Sequence, residues 1–314
     1  MANIGYMQVV RHCNHYCRFC SNPSNGRIID LDRAKATIDE FVTMGYDGLI
    51  LTGGEPTLFP ELPEVIRYAI EKKLPPRMIT NGSQIRRMEY LRTLYDAGLR
   101  HVHLSFFSNR PAVEAYLTQI PDALQAKTEA LENMAQLDMF VNINVVINKY
   151  NSDHLSEHVR WLVERCPRVA HIVFNGLEPL MMRPGGEDTI PRPVEYEVEL
   201  NRALTYLRSV GRTFRVERVP LCYMTEFAEC STETRKLVKG ESRAIYFLDQ
   251  RDFFVQNEAN LRPSYGKVDR CRACTLNDIC IGLYKMDIFY SSKEISPVFV
   301  PKEPIVRKIL SERE

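Results

Sequence analysis

The chain has 314 residues, 45% of them hydrophobic and 26% charged, with a formal net charge of +1. That composition belongs to a globular protein with a sizeable core and argues against nucleic acid or an acidic surface as partner. No apolar run reaches the roughly 18 residues of a membrane span, and the start, MANIGYMQVVRHC, lacks a signal-peptide layout, so no membrane association and a cytoplasmic location are expected.

In chain order, IGYMQVV (4–10) reads as a strand and a cysteine-rich loop follows it. LDRAKATIDEFVTMG (31–45) has helical apolar spacing and ends in glycine. YDGLILTGGEP is a strand closed by a turn, LPEVIRYAIEKK a helix, PRMITNGS a strand and IRRMEYLRTLYDAG a helix. HVHLSFFS, a helical stretch through ALQAKTEALENMAQL, FVNINVVIN, NSDHLSEHVRWLVERC and VAHIVFNGLEP continue the alternation, and VEYEVELNRALTYLRSVG (194–211) closes it. Six strand–helix units imply a parallel sheet with helices outside. Six is fewer than a closed barrel's eight, so the fold class expected is α/β, a partial (β/α)6 TIM-like barrel over residues 4–212. The pattern breaks after Gly211. FRVERVPLCYM reads as a strand leading into Cys222, and SPVFVPKEPIVRKILSERE as a tail over the surface. The domains expected are 1–212, 213–291 and a tail, 292–314.

Nine cysteines are present, and their spacing matters more than their number. Cys13, Cys17 and Cys20 stand at C-x3-C-x2-C in RHCNHYCRFC, on the first strand-to-helix loop, where barrels collect functional groups. Clusters this tight in an intracellular chain favour metal over disulfides. Three thiolates hold three irons of a [4Fe–4S] cluster that normally takes four, leaving one iron open, as catalytic metal sites do. Zinc or inert thiols are the plain alternative. His12, His15 and Arg18 read as residues shaping the loop, Cys166 as a buried or free thiol, and Met181 and Met182 as packing.

C-x3-C-x-aromatic-C, with Phe19 before Cys20, resembles the signature of radical S-adenosylmethionine (SAM) enzymes. In that family SAM chelates the open iron, and its reductive cleavage gives a 5′-deoxyadenosyl radical that abstracts a substrate hydrogen. The resemblance extends to GGEP (Gly53, Gly54, Glu55, Pro56), which in the family binds the amino group of SAM. A carboxylate and backbone carbonyls suit an ammonium group. It extends also to TNG (Thr80, Asn81, Gly82) at the third strand end and to Ser105, in the position of a serine near the ribose. Alternation puts His101, His103 and Ser105 on one strand face and Asn142 and Asn144 on one face of the next. Phe19 and Asn144 join the SAM-binding set; His103, Asn142, Glu178 and Arg183 form the candidate substrate pocket. The plain reading of His101 and His103 is ordinary polar groups of the barrel.

RCRACTLNDICIG carries Cys271, Cys274 and Cys280 and resembles the SPASM or twitch domain that holds auxiliary clusters in this family. The resemblance implies one auxiliary [4Fe–4S] cluster on Cys222, Cys271, Cys274 and Cys280. Cys222 is preferred to Cys230 because VPLCYM is an apolar strand end, whereas FAECSTET reads as a mobile start. Structural zinc is the rival. The expected partners are a peptide or small-molecule substrate and a reductant such as flavodoxin or ferredoxin. The chain ends in SERE rather than Gly-Gly, and its barrel begins at about residue 4, so no leader-binding domain is expected. Cross-linking or oxidation of a peptide is the function expected; the alternatives are a small-molecule dehydrogenase or cyclase and, outside enzymes, an iron–sulfur electron carrier or redox sensor.

Overall fold

The computed structural model describes residues 4–180, 182–250 and 253–312; Met181 lies outside them. Strand β1 (Ile4–Val10) is followed by α1 (Leu31–Thr43), β2 (Gly48–Gly53), α2 (Leu62–Glu71), β3 (Pro76–Thr80), α3 (Met88–Asp96) and β4 (His101–Ser105). Two helices, α4 (Pro111–Thr118) and α5 (Ala123–Gln136), precede β5 (Phe140–Ile147); then come α6 (Leu155–Arg165), β6 (Val169–Gly176) and α7 (Pro193–Ser209). The C-terminal part holds β7 (Thr213–Glu217), α8 (Thr232–Lys239), β8 (Arg243–Tyr246), β9 (Phe254–Gln256), α9 (Glu258–Leu261), the paired β10 (Tyr265–Gly266) and β11 (Leu283–Tyr284), and α10 (Glu303–Ser311).

The main sheet runs β7-β6-β5-β4-β3-β2-β1-β8-β9, parallel except for β9 against β8. Each βαβ step advances by one strand, the arrangement of a partial barrel. Residues alternate between faces. Leu49, Leu51, Val102, Leu104, Val141, Ile143, Val145, Ile172 and Phe174 are fully buried beneath the helices. Each such side chain contributes about 1.5–3 kcal/mol by leaving water. The other face is polar and lines the interior.

The sheet does not stop at residue 212, where the sequence places a boundary. β7 continues it beyond β6, and β8 and β9 extend it beyond β1. The reason is local: Phe214 and Val216 of β7 add to the buried helix-facing side, while Arg215 and Glu217 face inward. The tail also differs from expectation. Residues 303–311 form α10, anchored by Ile309, which is fully buried. Among the described residues no helix is long and apolar enough to cross a membrane.

Candidate functional site

The cysteine loop leaves the end of β1 and is fastened at several points. Arg11 N donates to Arg27 O at 2.7 Å, Tyr16 N to Thr118 O at 3.1 Å and Arg18 N to Leu117 O at 3.0 Å. The Arg18 guanidinium reaches Gly185 O (2.6 Å) and Asp188 (3.0 Å). Phe19 is buried and meets Phe107 edge-on at 4.8 Å, so its ring anchors the loop in a small apolar cluster. The three thiols between these anchors are half-buried. Burial pushes the Cys13 thiol up to about 11, against the His15 N–H that donates to its sulfur at 3.4 Å. Burial also raises Cys17, opposed by Lys127, and Cys20, opposed by the Asn22 N–H, Arg183 and Arg11. Such thiols keep their protons at neutral pH until a metal displaces them.

The glycine turn ending β2 is pressed against this loop. Gly54 N donates to Val10 O at 2.6 Å and Glu55 N to His12 O at 2.9 Å. A Cβ on Gly53, whose φ is +142°, would lie 2.0 Å from Val10 O, and one on Gly54 2.2 Å from His12 O. Only glycine permits that approach. Pro56 is buried and opens a short 3-10 turn.

The Glu55 side chain is 1% exposed and turned into the protein. Its Oε1 accepts from Thr57 N (3.2 Å), Thr57 Oγ1 (2.6 Å) and Thr80 Oγ1 (2.6 Å), and its Oε2 from Asn81 N (2.8 Å). Burial still leaves its pKa raised despite these donors. Glu55 thus ties the end of β2 to the end of β3. Asn81 completes the junction through Asn14 (2.8 Å) and a long contact to Cys13 Sγ (3.8 Å). Asn14 in turn donates to Ser83 Oγ at 2.6 Å.

Below the strand ends, the polar sheet face lines a cavity of about 710 Å³. His103 and Asn144 line it, together with Tyr6, Arg77, Asn175, Arg215, Glu217 and Arg243. The cysteines do not line it. Ser105 pairs in register with Asn144, and His103 with buried Asn142. His101 and His103 stack at 4.9 Å. Burial brings His101 down to about 4 and holds His103 well below the usual imidazole range, so both are neutral at pH 7. Glu178 and Arg183, expected at one mouth, have different partners. Glu178 accepts from Tyr284 Oη and from Leu180 N (3.1 Å). Arg183 lies 5.3 Å over the Tyr16 ring, on the cysteine loop.

Two features beneath the loop escape sequence reading. Lys127 and Glu114 form an ion pair in which both side chains are wholly buried. Glu114 also accepts from Phe107 N (3.1 Å) and Ser108 N (2.8 Å), and Lys127 sits 4.5 Å over the Phe107 ring. The available signal is a lysine in register with buried Ala123, Ala126 and Ala130 of α5. His15 is 3% exposed, and neither ring nitrogen has a partner among the described residues.

In the C-terminal part, Cys222, Cys271, Cys274 and Cys280 line one small cavity, capped by Ile295, Ser296 and Val298 of the tail. Val298 N donates to Cys274 Sγ at 3.4 Å; backbone N–H groups of Ser296 serve Cys222, and those of Leu221 and Gly282 serve Cys280. Burial pushes Cys222 up to about 11. Cys230 is elsewhere, buried in the main core beside Phe227 and Ala228. Cys166 is buried in the same core, and Met182 packs against the Phe19 cluster.

The model of the radical SAM superfamily matches residues 7–162, the stretch holding the cysteine loop, the glycine turn and the strand ends described above. PqqA peptide cyclase of Methylobacterium nodulans is 30% identical over 164 residues, 49% of this chain and 42% of that protein. AdoMet-dependent heme synthase of Nitratidesulfovibrio vulgaris is 26% identical over 221 residues, 69% of this chain and 59% of that protein. The chain thus spans only about two-fifths to three-fifths of the length of these relatives. SuiB of Streptococcus suis bound to S-adenosylmethionine superposes with a TM-score of 0.65 at 13% identity, over 90% of this chain and 73% of SuiB. Native anSMEcpe with bound AdoMet gives 0.62 at 16% identity, over 98% of this chain and 95% of that one. These two likenesses concern the fold, the partial barrel with its C-terminal extension. Sequence match and fold meet on the loop that carries Cys13, Cys17 and Cys20, and the chain belongs to the radical SAM superfamily.

Proposed function

We propose that the protein cleaves SAM reductively and uses the resulting radical to abstract hydrogen from a peptide, which it cross-links or oxidises. The observation that carries the reading is the loop of three thiols pinned against the Gly53–Gly54 turn, with no fourth cysteine beside it among the described residues. Cys13, Cys17 and Cys20 would hold the cluster. This donor set fits the group, since three soft sulfur ligands suit iron–sulfur chemistry and leave one iron for SAM. When bound, the cluster supplies the electron for cleavage of SAM to methionine and a 5′-deoxyadenosyl radical.

The chain's own residues do the positioning. Phe19 anchors the loop, and Glu55, Thr80 and Asn81 fix the strand ends around it. Ser105, in the position of the family's ribose-proximal serine, and Asn144, paired with it in register, would complete the SAM-binding set. His103, neutral at pH 7, and Asn142 are the candidate substrate-facing polar groups of β4 and β5. Arg183, set over Tyr16 of the cysteine loop, would be the cation of the substrate pocket. Cys222, Cys271, Cys274 and Cys280 would hold one auxiliary [4Fe–4S] cluster in a domain that begins after residue 212. Their shared cavity and the tail's N–H donors support this reading, because hydrogen bonds to sulfur tune such clusters. The reductant would be a flavodoxin or ferredoxin.

The peptide reading draws on the similarity to PqqA peptide cyclases. Similarity to an AdoMet-dependent heme synthase favours a second one, a small-molecule dehydrogenase or cyclase. The test is anaerobic reconstitution with iron and sulfide counts and a dithionite assay for 5′-deoxyadenosine. About eight irons are expected for two clusters, with 5′-deoxyadenosine formed. Cys222→Ala should lower the iron count and Cys230→Ala should not. No 5′-deoxyadenosine from fully loaded protein, with candidate peptides present, would overturn the proposal.

A further inference from the structure

The 710 Å³ cavity inside the barrel has an unusual charge arrangement. Five of its lining side chains are basic, and four of these are already engaged. Arg243 faces Glu217 at 3.9 Å and lies 4.5 Å over the Tyr6 ring. Arg215 and Arg235 both reach Glu312, at 3.5 and 2.7 Å. Lys236 donates to Gln256 at 2.7 Å. Arg77 differs. It stands on the inward face of β3, half-buried, with no hydrogen-bond acceptor or carboxylate in reach among the described residues.

A guanidinium has five donors and keeps its charge, so leaving it in a cavity without an anion is costly. Burial accordingly lowers its pKa, opposed only by Tyr6. A second group in the same cavity is also unsatisfied. His103 is 8% exposed, and its Nε2 has no partner among the described residues. Two inward polar groups therefore wait on adjacent strands, with Ile79 of β3 paired in register to His103.

We propose that the lower barrel is a carboxylate-binding subsite, in which Arg77 holds the anion and His103 Nε2 a neighbouring polar atom of the same ligand. Among the described residues Arg77 is the one of the five basic side chains without a partner of its own, and pairing it takes one negative charge. A carboxylate meets that, whereas a phosphate monoester brings about −1.5 to −2 at pH 7 and would leave charge unmatched. Arg77 lies three residues below Thr80, about 10 Å along a strand that rises roughly 3.3 Å per residue. Resting on the radical reading above, the inference is that the substrate carries a carboxylate that reaches the lower barrel while its reacting carbon stands toward the strand ends, as an acidic side chain of a peptide or as a free organic acid.

The test is binding to the reconstituted full chain, measured by titration calorimetry, with four probes. These are a blocked Ala-Ala-Glu-Ala-Ala peptide, its Gln counterpart, glutarate and inorganic phosphate. The wild type should bind a carboxylate probe at least tenfold more tightly than the Gln peptide, and Arg77→Gln should abolish the difference while Arg77→Lys retains part of it. Dependence on Arg77 seen with the Glu peptide assigns the anion to a peptide side chain, and seen only with glutarate assigns it to a free acid; either supports the subsite. Without ligand, Arg77→Gln should leave the thermal midpoint unchanged or raise it, because it removes an unpaired, half-buried charge; an arginine with a merely structural role would lower it. Binding of both carboxylate probes indifferent to Arg77→Gln, neither carboxylate probe binding more tightly than the Gln peptide, or phosphate binding more tightly than either carboxylate would overturn the proposal. Failure of the radical reading is separable, since it would show as absent 5′-deoxyadenosine in the wild type whatever the binding results.

Discussion

Glu55→Gln separates two ways in which the glycine turn can matter. The substitution keeps the shape of the side chain but gives it one acceptor oxygen where the carboxylate has two. In the wild type one oxygen serves three donors on Thr57 and Thr80, and the other serves Asn81 N. The glutamine amide does least harm with its oxygen on the three-donor side. Its NH2 then faces Asn81 N–H, donor against donor, where a bond of 2.8 Å stood. Hydrogen bonds to a charged acceptor are worth about 1.5–3 kcal/mol, and the remaining three bonds lose their charge assistance. Removal of a desolvated charge offsets part of this, consistent with the raised pKa of Glu55. The expected net loss is about 1–3 kcal/mol, measured by urea unfolding of the metal-free protein. Because Asn81 also meets Asn14 and Cys13, iron uptake during reconstitution should fall as well. Stability within about 0.5 kcal/mol of wild type with full iron, but weakened SAM affinity, would refute the reasoning. It would mean that the carboxylate acts on the ligand directly.

Three further outcomes follow from other contacts. Lys127→Met leaves Glu114 charged and alone in a dry site, and should cost about 3–5 kcal/mol in urea unfolding, most of it recovered in the Lys127→Met/Glu114→Gln double variant; a neutral single variant would contradict the buried pair. At Asp188, burial pushes the pKa up, but donors on Tyr150, Tyr116 and Arg18 outweigh it and bring the carboxyl to about 2. A depressed carboxylate stabilises the fold above its unfolded value, near 3.9, and that contribution disappears as pH falls toward the folded value. Asp188→Asn should therefore flatten the loss of stability between about pH 4 and about pH 2, and an unchanged slope in the metal-free protein would count against it. Val298→Pro removes the N–H that donates to Cys274 Sγ. The auxiliary couple should move to lower potential in an electron paramagnetic resonance redox titration while the first cluster's signal is unchanged, and an unmoved couple would show that the tail does not tune it.

The sequence makes the alternating half of the molecule readable because two periodicities coincide there. Val102, Leu104, Val141, Ile143 and Val145 alternate with polar residues, and the helices between carry their own apolar stripe, so face and order follow from the pattern alone. The cysteine spacing is equally local. What stays hidden depends on contacts distant in sequence. Nothing in the GGEP turn itself says which way Glu55 faces, and only the arrival of Thr80 and Asn81, some 25 residues on, turns its carboxylate inward. β7 and β8 are short and follow a break in the pattern, so nothing nearby reveals that they flank opposite sides of one sheet. The tail has three prolines and many charges, which read as surface chain, yet its N–H groups reach Cys222 and Cys274.

These long-range contacts explain why the two cysteine regions belong to one folded body although the sequence separates them by some 200 residues. β1 carries the cysteine loop at its end and is held between β2 on one side and β8 on the other. β8 therefore acts on the cysteine loop through the strand that bears it, and Arg11 reinforces this through Asp249, just beyond β8, at 2.7 Å. On the opposite edge, Tyr284 and Tyr290 reach Glu178 and Leu177 at the end of β6. The C-terminal region thus grips the barrel at both open edges. A partial barrel has two free edges, and this double attachment covers both while the interior keeps a cavity open to one side. The same attachment sets the C-terminal cysteine cavity relative to the barrel through hydrogen bonds between fixed elements instead of a flexible linker. Glu178, Tyr284 and Tyr290 on one edge and Arg11 and Asp249 on the other carry that attachment, and none of them is a cysteine.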